Sequence, residues 1–346
     1  MRRKAVFSVS VGGSPVGAGF NALVTEISVT DSAGLNADTA SIELDDDGGR
    51  IAMPSKNDPI SISLGWESEG GASVVFEGKI EDVLSTGGRG QGRMMSITAK
   101  SADTESKVKE PREKHWDDKT LGDVLQDAGK HAGVTVKVHG SLASIKREWW
   151  GMTGQSFVAY GDKLAREVGA TFKIRNGQAT FVPRNEGIGA GGTALAGVKA
   201  AWGDNLISWS LSPARGRPQF KQFVARWYDN KKAKWMREKV EAIPGVPAEM
   251  LGRFSEFDSD GSKESAGSSK KGGDREKGGG TVTIDGNTAA RAEAPCEVSG
   301  VRPGIDGTYR IDTVTHTYKR SGFISELTLK QPSGDAGTDS RGGAAS

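Results

Sequence analysis

The chain has 346 residues, enough for two or three domains with sizeable cores. Its 46 Lys+Arg against 44 Asp+Glu leave a formal charge of +2, which excludes a global field that recruits nucleic acid or an acidic membrane. A single cysteine, Cys296, excludes an internal disulfide and cannot by itself build a zinc site. No run of about 18 apolar residues offers a membrane span, and the opening MRRKAVFSVSV lacks the apolar core of a signal peptide. The expectation is a soluble protein made in a cytoplasm. The 49 glycines, roughly twice the ordinary share, predict many short strands joined by tight turns.

From Ala5 to about Lys100 the pattern is β throughout. Phe7, Val9 and Val11 alternate with polar neighbours, and runs at 24–29, 40–44, 60–64, 74–80 and 95–99 repeat the period of two. Gly88, Gly90 and Gly92 read as a hairpin loop between the last two runs. After Lys100 the period changes. Leu121, Val124, Leu125, Ala128 and Ala132 fall at helical spacing, with Thr120 and Asp123 as a capping box and Gly133 as the stop. A short strand at 134–138 and a linker carrying Trp149 and Trp150 lead to a second helix, with Phe157, Tyr160, Leu164 and Val168 on one face and Gly169 closing it. Asn176-Gly177 between alternating runs predicts a two-residue hairpin.

Residues 185–198 read as a Gly- and Ala-rich connector. Strands resume at 206–211, 219–228 and 233–240. The stretch 255–280, containing SKESAGSSKKGGDREKGGG, has the composition of a mobile loop. A strand at 281–284 and a three-stranded meander over 293–330 complete the second β region, and the tail 333–346 is expected to be disordered.

The chain is poor in site chemistry. Gly187, Gly189 and Gly192 match a dinucleotide fingerprint, but Pro183 and the absence of a following βαβ pattern favour a hinge. Glu256, Asp258, Asp260 and Gly261 imitate the opening of a calcium loop, but Gly267 stands where its closing glutamate belongs. His115, His131, His139 and His316 do not pair at metal-binding spacing, and no G-x-S-x-G seats a nucleophile. Cys296 beside Pro295 reads as a small buried residue. The reading is therefore no catalytic residue, no metal and no cofactor. The conspicuous aromatics are Trp149 and Trp150 with Arg147, and Trp227 and Trp235 on a hairpin of the second β region. Core filling is the ordinary role for such side chains. Interface anchoring is the alternative, because Trp, Tyr and Arg dominate binding hot spots.

The order of these segments resembles the phage late control gene D family, the baseplate hub proteins of contractile tails, related to the base of the type VI secretion spike protein. FEGKIEDVLSTGG at 76–88, SITAKSAD at 96–103, KTLGDVLQDAGKHAGVTVKV at 119–138, SFVAYGDKLAREVGATFKIRNGQATFVP at 156–183 and GVRPGIDGTYRIDTVTHTYKRSGFISELTL at 300–329 carry the resemblance. It implies a mainly β fold with an α+β insertion: a tail-tube-like β-barrel over 1–103, a helix-containing part over 104–185, and a second such barrel over 186–332 with a flexible insert at 255–280. Phe323, Leu327 and Leu329 would fill the second barrel. It further implies a structural, non-catalytic role as a homotrimer whose six barrels adapt the sixfold tail tube to the threefold spike. The partners would be tail tube protein, a separate central spike protein, and the tape-measure and other baseplate subunits, with genome or cargo passing through the lumen unread. The location would be the tail baseplate of a virion or injection machine, assembled in the bacterial host cytoplasm. Two rivals from other classes are a tail-associated peptidoglycan hydrolase and a β-barrel carbohydrate or nucleic-acid binding module.

Overall fold

The computed structural model describes every residue except 1–2, 35–36, 47, 91, 102–106, 190, 214–218, 257, 340 and 342–346, and the side chain of Phe254. The first β region holds β1 (Ala5–Val11), β2 (Ser14–Pro15), a short α1 (Ala18–Leu23), β3 (Val24–Ser32), β4 (Thr39–Asp45), β5 (Pro59–Trp66), β6 (Gly71–Gly88) and β7 (Gly92–Lys100). The central part holds β8 (Arg112–Thr120), α2 (Leu121–Ala132), β9 (Thr135–Val138), α3 (Gly140–Ala143), β10 (Lys146–Gln155), α4 (Phe157–Val168), β11 (Ala170–Arg175) and β12 (Gln178–Pro183). The second β region holds β13 (Val198–Ala201), β14 (Leu206–Ser212), β15 (Gln222–Asp229), β16 (Lys234–Glu241), β17 (Glu249–Glu256), α5 (Ser259–Arg275), β18 (Gly279–Asp285), β19 (Pro295–Ser299), β20 (Gly307–Lys319) and β21 (Gly322–Ser333).

The fold is mainly β, but the expected pair of closed barrels is not what the strand pairing describes. One 13-stranded sheet runs β14-β18-β21-β20-β3-β4-β7-β6-β5-β1-β2, with β19 and β13 branching from β20. Among the described residues no sheet closes on itself. The reason is β20. Its 13 residues are long enough to pair with β19 and β21 in its own region and with β3 of the first, Thr313 to Lys319 lying opposite Ser32 to Glu26. The ladder therefore crosses from one region into the other.

Alternation decides which face is dry. Ile27, Val29, Ile42, Leu44, Ile62, Leu64 and Ile97 fill the first core, and Val282, Ile284, Ile311, Val314, Leu327 and Leu329 the second. Burying each such side chain is worth roughly 1.5–3 kcal/mol. Phe323, expected with Leu327 and Leu329, packs instead into the first core, and Trp66 donates from Nε1 to the Gly286 carbonyl at 2.8 Å. The two cores are thus stitched by side chains as well as by backbone.

Helices α2 and α4 form as their apolar stripes and caps predict. Thr120 and Asp123 make a reciprocal capping box and Gly133 closes α2 in the left-handed region at φ 75°. Their stripes pack with Phe172 and Phe181 of the β11–β12 hairpin, whose turn is Asn176-Gly177, both at positive φ. Three expectations need correction. Trp149 and Trp150 lie in strand β10, paired with Asp117 and Trp116 of β8, not in a linker. The stretch 255–280 is not a mobile loop: it holds the 17-residue helix α5, fixed by side-chain bonds described below. The tail does not lose order at Ser333, because Ala336 packs on the second core and the Gly337 N–H donates to the Gly304 carbonyl at 2.9 Å. Residues 340 and 342–346 of that tail lie outside the described residues.

Candidate interaction surfaces

Arg147 on β10 points inward, its guanidinium stacked 4.4 Å over the Trp150 ring. Its Nη1 donates to Glu167 of α4 and its Nη2 to Glu264 of α5, each at 2.8 Å. Trp150 is 2% exposed and donates from Nε1 to the Lys119 carbonyl. The structure thus brings Arg147 and Trp150 together as a brace between β10, α4 and α5. Trp149, its neighbour in a strand and so on the opposite face, is 45% exposed. Trp227 is half-buried on β15, and Trp235 stands out on β16 at 58% exposure, against Tyr228. The Asp258 carboxylate that imitated a calcium ligand is the N-cap of α5, accepting from the Gly261 N–H at 2.7 Å.

The residues that invited a catalytic reading are sealed in the sheet. Burial pushes the Cys296 thiol up to about 12, with Glu297 adding repulsion, and holds His316 down at about 4. His316 is satisfied by the Ser325 hydroxyl at 2.8 Å and the Ala290 carbonyl at 3.3 Å. A buried charge cluster ties the central part to the first β region. Lys173 of β11 meets Asp31 of β3, Asp38 at 2.6 Å and the Ser32 carbonyl at 2.8 Å. Burial and the nearby Asp31 raise Asp38 to about 6.

The sheet has two features that periodicity alone could not place. Its ends are open. β14 pairs with β18 on one side and on the other has, among the described residues, only a bridge from Leu206 to Trp202 just after β13, while β1 pairs with β5 along its length and with β2 only at Ser10 and Val11. At the β14 end Trp202 and Trp209 pack edge to face at 4.8 Å with 53% and 39% exposure, and Ile207 stands beside them. Trp209 lies opposite Val282, so it continues the face of the second core out to solvent. Alternation places Ile207 and Trp209 in a strand at 206–211, but which strand ends a sheet depends on long-range pairing.

The second feature is the face turned away from the cores. Register aligns Ser210, Thr281, Thr328, Thr313 and Ser32 in one row, and Ser208, Thr283, Glu326, Thr315, Thr30 and Thr39 in the next. Thr30 and Thr315 share a hydroxyl hydrogen bond of 3.2 Å across the junction of the two regions. The lysines on this face are paired: Lys319 with Glu26, Lys330 with Glu276 and Asp312, Lys100 with Glu81. The result is a hydroxyl-rich surface with no unpaired cation in these rows.

A mainly β chain whose sheet spans two regions around a helical part has the fold of phage tail proteins. It superposes on the 43 kDa tail protein of prophage MuSo2 from Shewanella oneidensis with a TM-score of 0.68 and 14% identity, covering 94% of this chain and 98% of that one. In sequence it is similar to the probable baseplate hub protein of Escherichia phage 186, 24% identical over 366 aligned positions that cover 94% of this chain and 92% of that protein. The resemblance to baseplate hub proteins drawn from residue order thus extends over nearly the whole chain. The fold also matches the E. coli c3393 protein, described as a type VI secretion component with structural similarity to the T4 tail proteins gp27 and gp5, at a TM-score of 0.54 and 10% identity over 96% of this chain and 78% of that one. No protein-family model matches the chain. No helix among the described residues is long and apolar enough to cross a membrane.

Proposed function

We propose that the chain is a structural subunit of a contractile-tail baseplate hub, three copies of which form a ring that adapts the sixfold tail tube to the threefold spike. The observation that carries this reading is the open sheet. One ladder runs through both β regions and ends at β14 on one side and, on the other, at β1, which the two-residue β2 covers only at Ser10 and Val11. Two different unpaired ends suit a heterologous, head-to-tail contact, the kind that closes into a ring. The exposed Trp202, Ile207 and Trp209 supply the apolar surface such a seam needs. In this reading 1–103 and 186–332 act as two tube-like units per chain, with 104–185 outside the wall.

The hydroxyl-rich face would line the channel. With its lysines already paired, it gives a passing polyanion or protein nothing to hold. The role is geometric and non-catalytic, and its site is the tail tip, built in the host cytoplasm with tube, spike, tape-measure and neighbouring baseplate subunits.

Light scattering on the full chain after size exclusion should give a trimer that captures both purified tube and spike subunits. Trp209→Asp should leave a folded monomer. A stable wild-type monomer that binds neither subunit overturns the reading.

A further inference from the structure

Helix α5 covers one face of the three-stranded sheet β16-β15-β17. Phe223 and Ala225 pack there on Ala266 of α5. On the other face register sets Tyr228 opposite Trp235, Arg226 opposite Arg237 and Val224 opposite Lys239, with Leu251 beside Val224; Val224 is itself buried, and the face opens to solvent toward the hairpin end, at Arg226, Tyr228, Trp235 and Arg237. We propose that this open face is a docking surface for an acidic protein segment of another tail component.

The argument begins with a local cost. Like charges directly opposite across an antiparallel pair repel, and Arg226 and Arg237 are so placed. Arg226 lies 5.5 Å over the Trp235 ring, and among the described residues neither Arg237 nor Lys239 has a carboxylate partner. A carboxylate laid between the two guanidinium groups would remove the repulsion and form charge-assisted, bidentate hydrogen bonds. Around that point Trp235, Tyr228 and Leu251 are exposed, an apolar centre beside a cationic rim of the kind that anchors protein interfaces.

The same residues argue against a nucleic-acid strand. Glu241 and Glu249 stand at the far end of the strands, opposite and beside Gln222, where they disfavour a ligand charged at every unit along its length but not one whose carboxylates fall only at the Arg226–Arg237 end. Lys232 at the hairpin tip is engaged by Asp229 at 3.4 Å. An acidic polypeptide needs only a few carboxylates in register and can bury Leu251 and Trp235. The inference concerns the single chain and does not depend on ring formation.

The test uses the full chain, a random copolymer of glutamate and tyrosine as acidic probe, and a single-stranded DNA oligonucleotide as competitor. Calorimetric titration should show copolymer binding that weakens with salt. The double variant Arg226→Ala/Arg237→Ala should weaken it by about tenfold or more, and Trp235→Ala should do likewise. These side chains project to solvent, so circular dichroism should show each variant folded. No copolymer binding, equal binding by the folded variants, or tighter binding of the DNA than of the copolymer would overturn the proposal.

Discussion

Helices α4 and α5 pack against each other and are held by opposite means. α4 buries Phe157, Tyr160, Leu164 and Val168 against Phe172 and its neighbours, an apolar stripe backed by ordinary caps at Ser156 and Gly169. α5, SDGSKESAGSSKKGGDR, has no such stripe. Ala266 is its single contribution to a hydrophobic cluster. The rest is polar: Glu264 to Arg147, the Ser268 hydroxyl to the Arg166 carbonyl, and Arg275 to Glu293 and Asp312 at 2.8 and 2.7 Å. Glycine and serine weaken a helix intrinsically. A low-complexity segment is therefore ordered here by where its few charged groups land, a property of the tertiary structure rather than of composition.

The largest effect should come from the apolar side of this comparison. Phe172→Ala removes the ring between Phe157 and Phe181 and should cost about 3–5 kcal/mol in urea unfolding. A loss below about 1 kcal/mol would mean that α4 is not held by its stripe. Arg275→Ala should come next, at about 3 kcal/mol, because it takes the charged partner from the largely buried Glu293 and leaves Asp312 with Lys330 alone. Hydrogen exchange should then show α5 deprotected while α4 keeps its protection; joint loss would erase the distinction.

Glycine substitutions sharpen it with opposite signs. A Cβ at Gly161 of α4 would meet the Phe172 ring at 2.4 Å, so Gly161→Ala should destabilise by about 1–3 kcal/mol. A Cβ at Gly267 of α5 meets nothing within 4 Å, so Gly267→Ala should stabilise by about 0.5–1 kcal/mol in thermal unfolding. The most local effect is acid-dependent. Burial works against ionised Asp312, but the Arg275 guanidinium, with Lys330 behind it, holds its carboxyl below the usual 3.8. Its contribution is therefore full above pH 3.8 and fades as the pH falls through the lowered value. Exchange at the C-terminal end of α5 should rise there before that of α4 does.

Much of this fold was legible because local rules and tertiary structure agreed. Thr120, Asp123 and Gly133 bound α2, and Asn176-Gly177 turns its hairpin, as their chemistry requires. β10 and α5 were missed for a shared reason: neither carries a period. Lys146–Gln155 mixes tryptophans, charges and glycine, and pairs with an equally charged β8. α5 has almost nothing apolar to count. Of the aromatics singled out, residue type could not separate Trp149 and Trp235, which face solvent, from Trp150, which braces the interior. Nor could it reveal that Arg226 and Arg237 stand opposite each other, since that needs the register of the hairpin.

The pairing of β3 with β20 also constrains how the chain is made. Thr30 and Thr315, joined through their hydroxyls, lie 285 residues apart. During synthesis β3 emerges early and pairs with β4, but its other edge must wait for nearly the whole chain to appear. An open strand edge held for that interval is a site for wrong pairing, and contacts of such long range slow folding. Expression yield should therefore depend on translation rate and on chaperones that shield nascent strands, even though in the finished protein β20 covers that edge from Glu26 to Ser32.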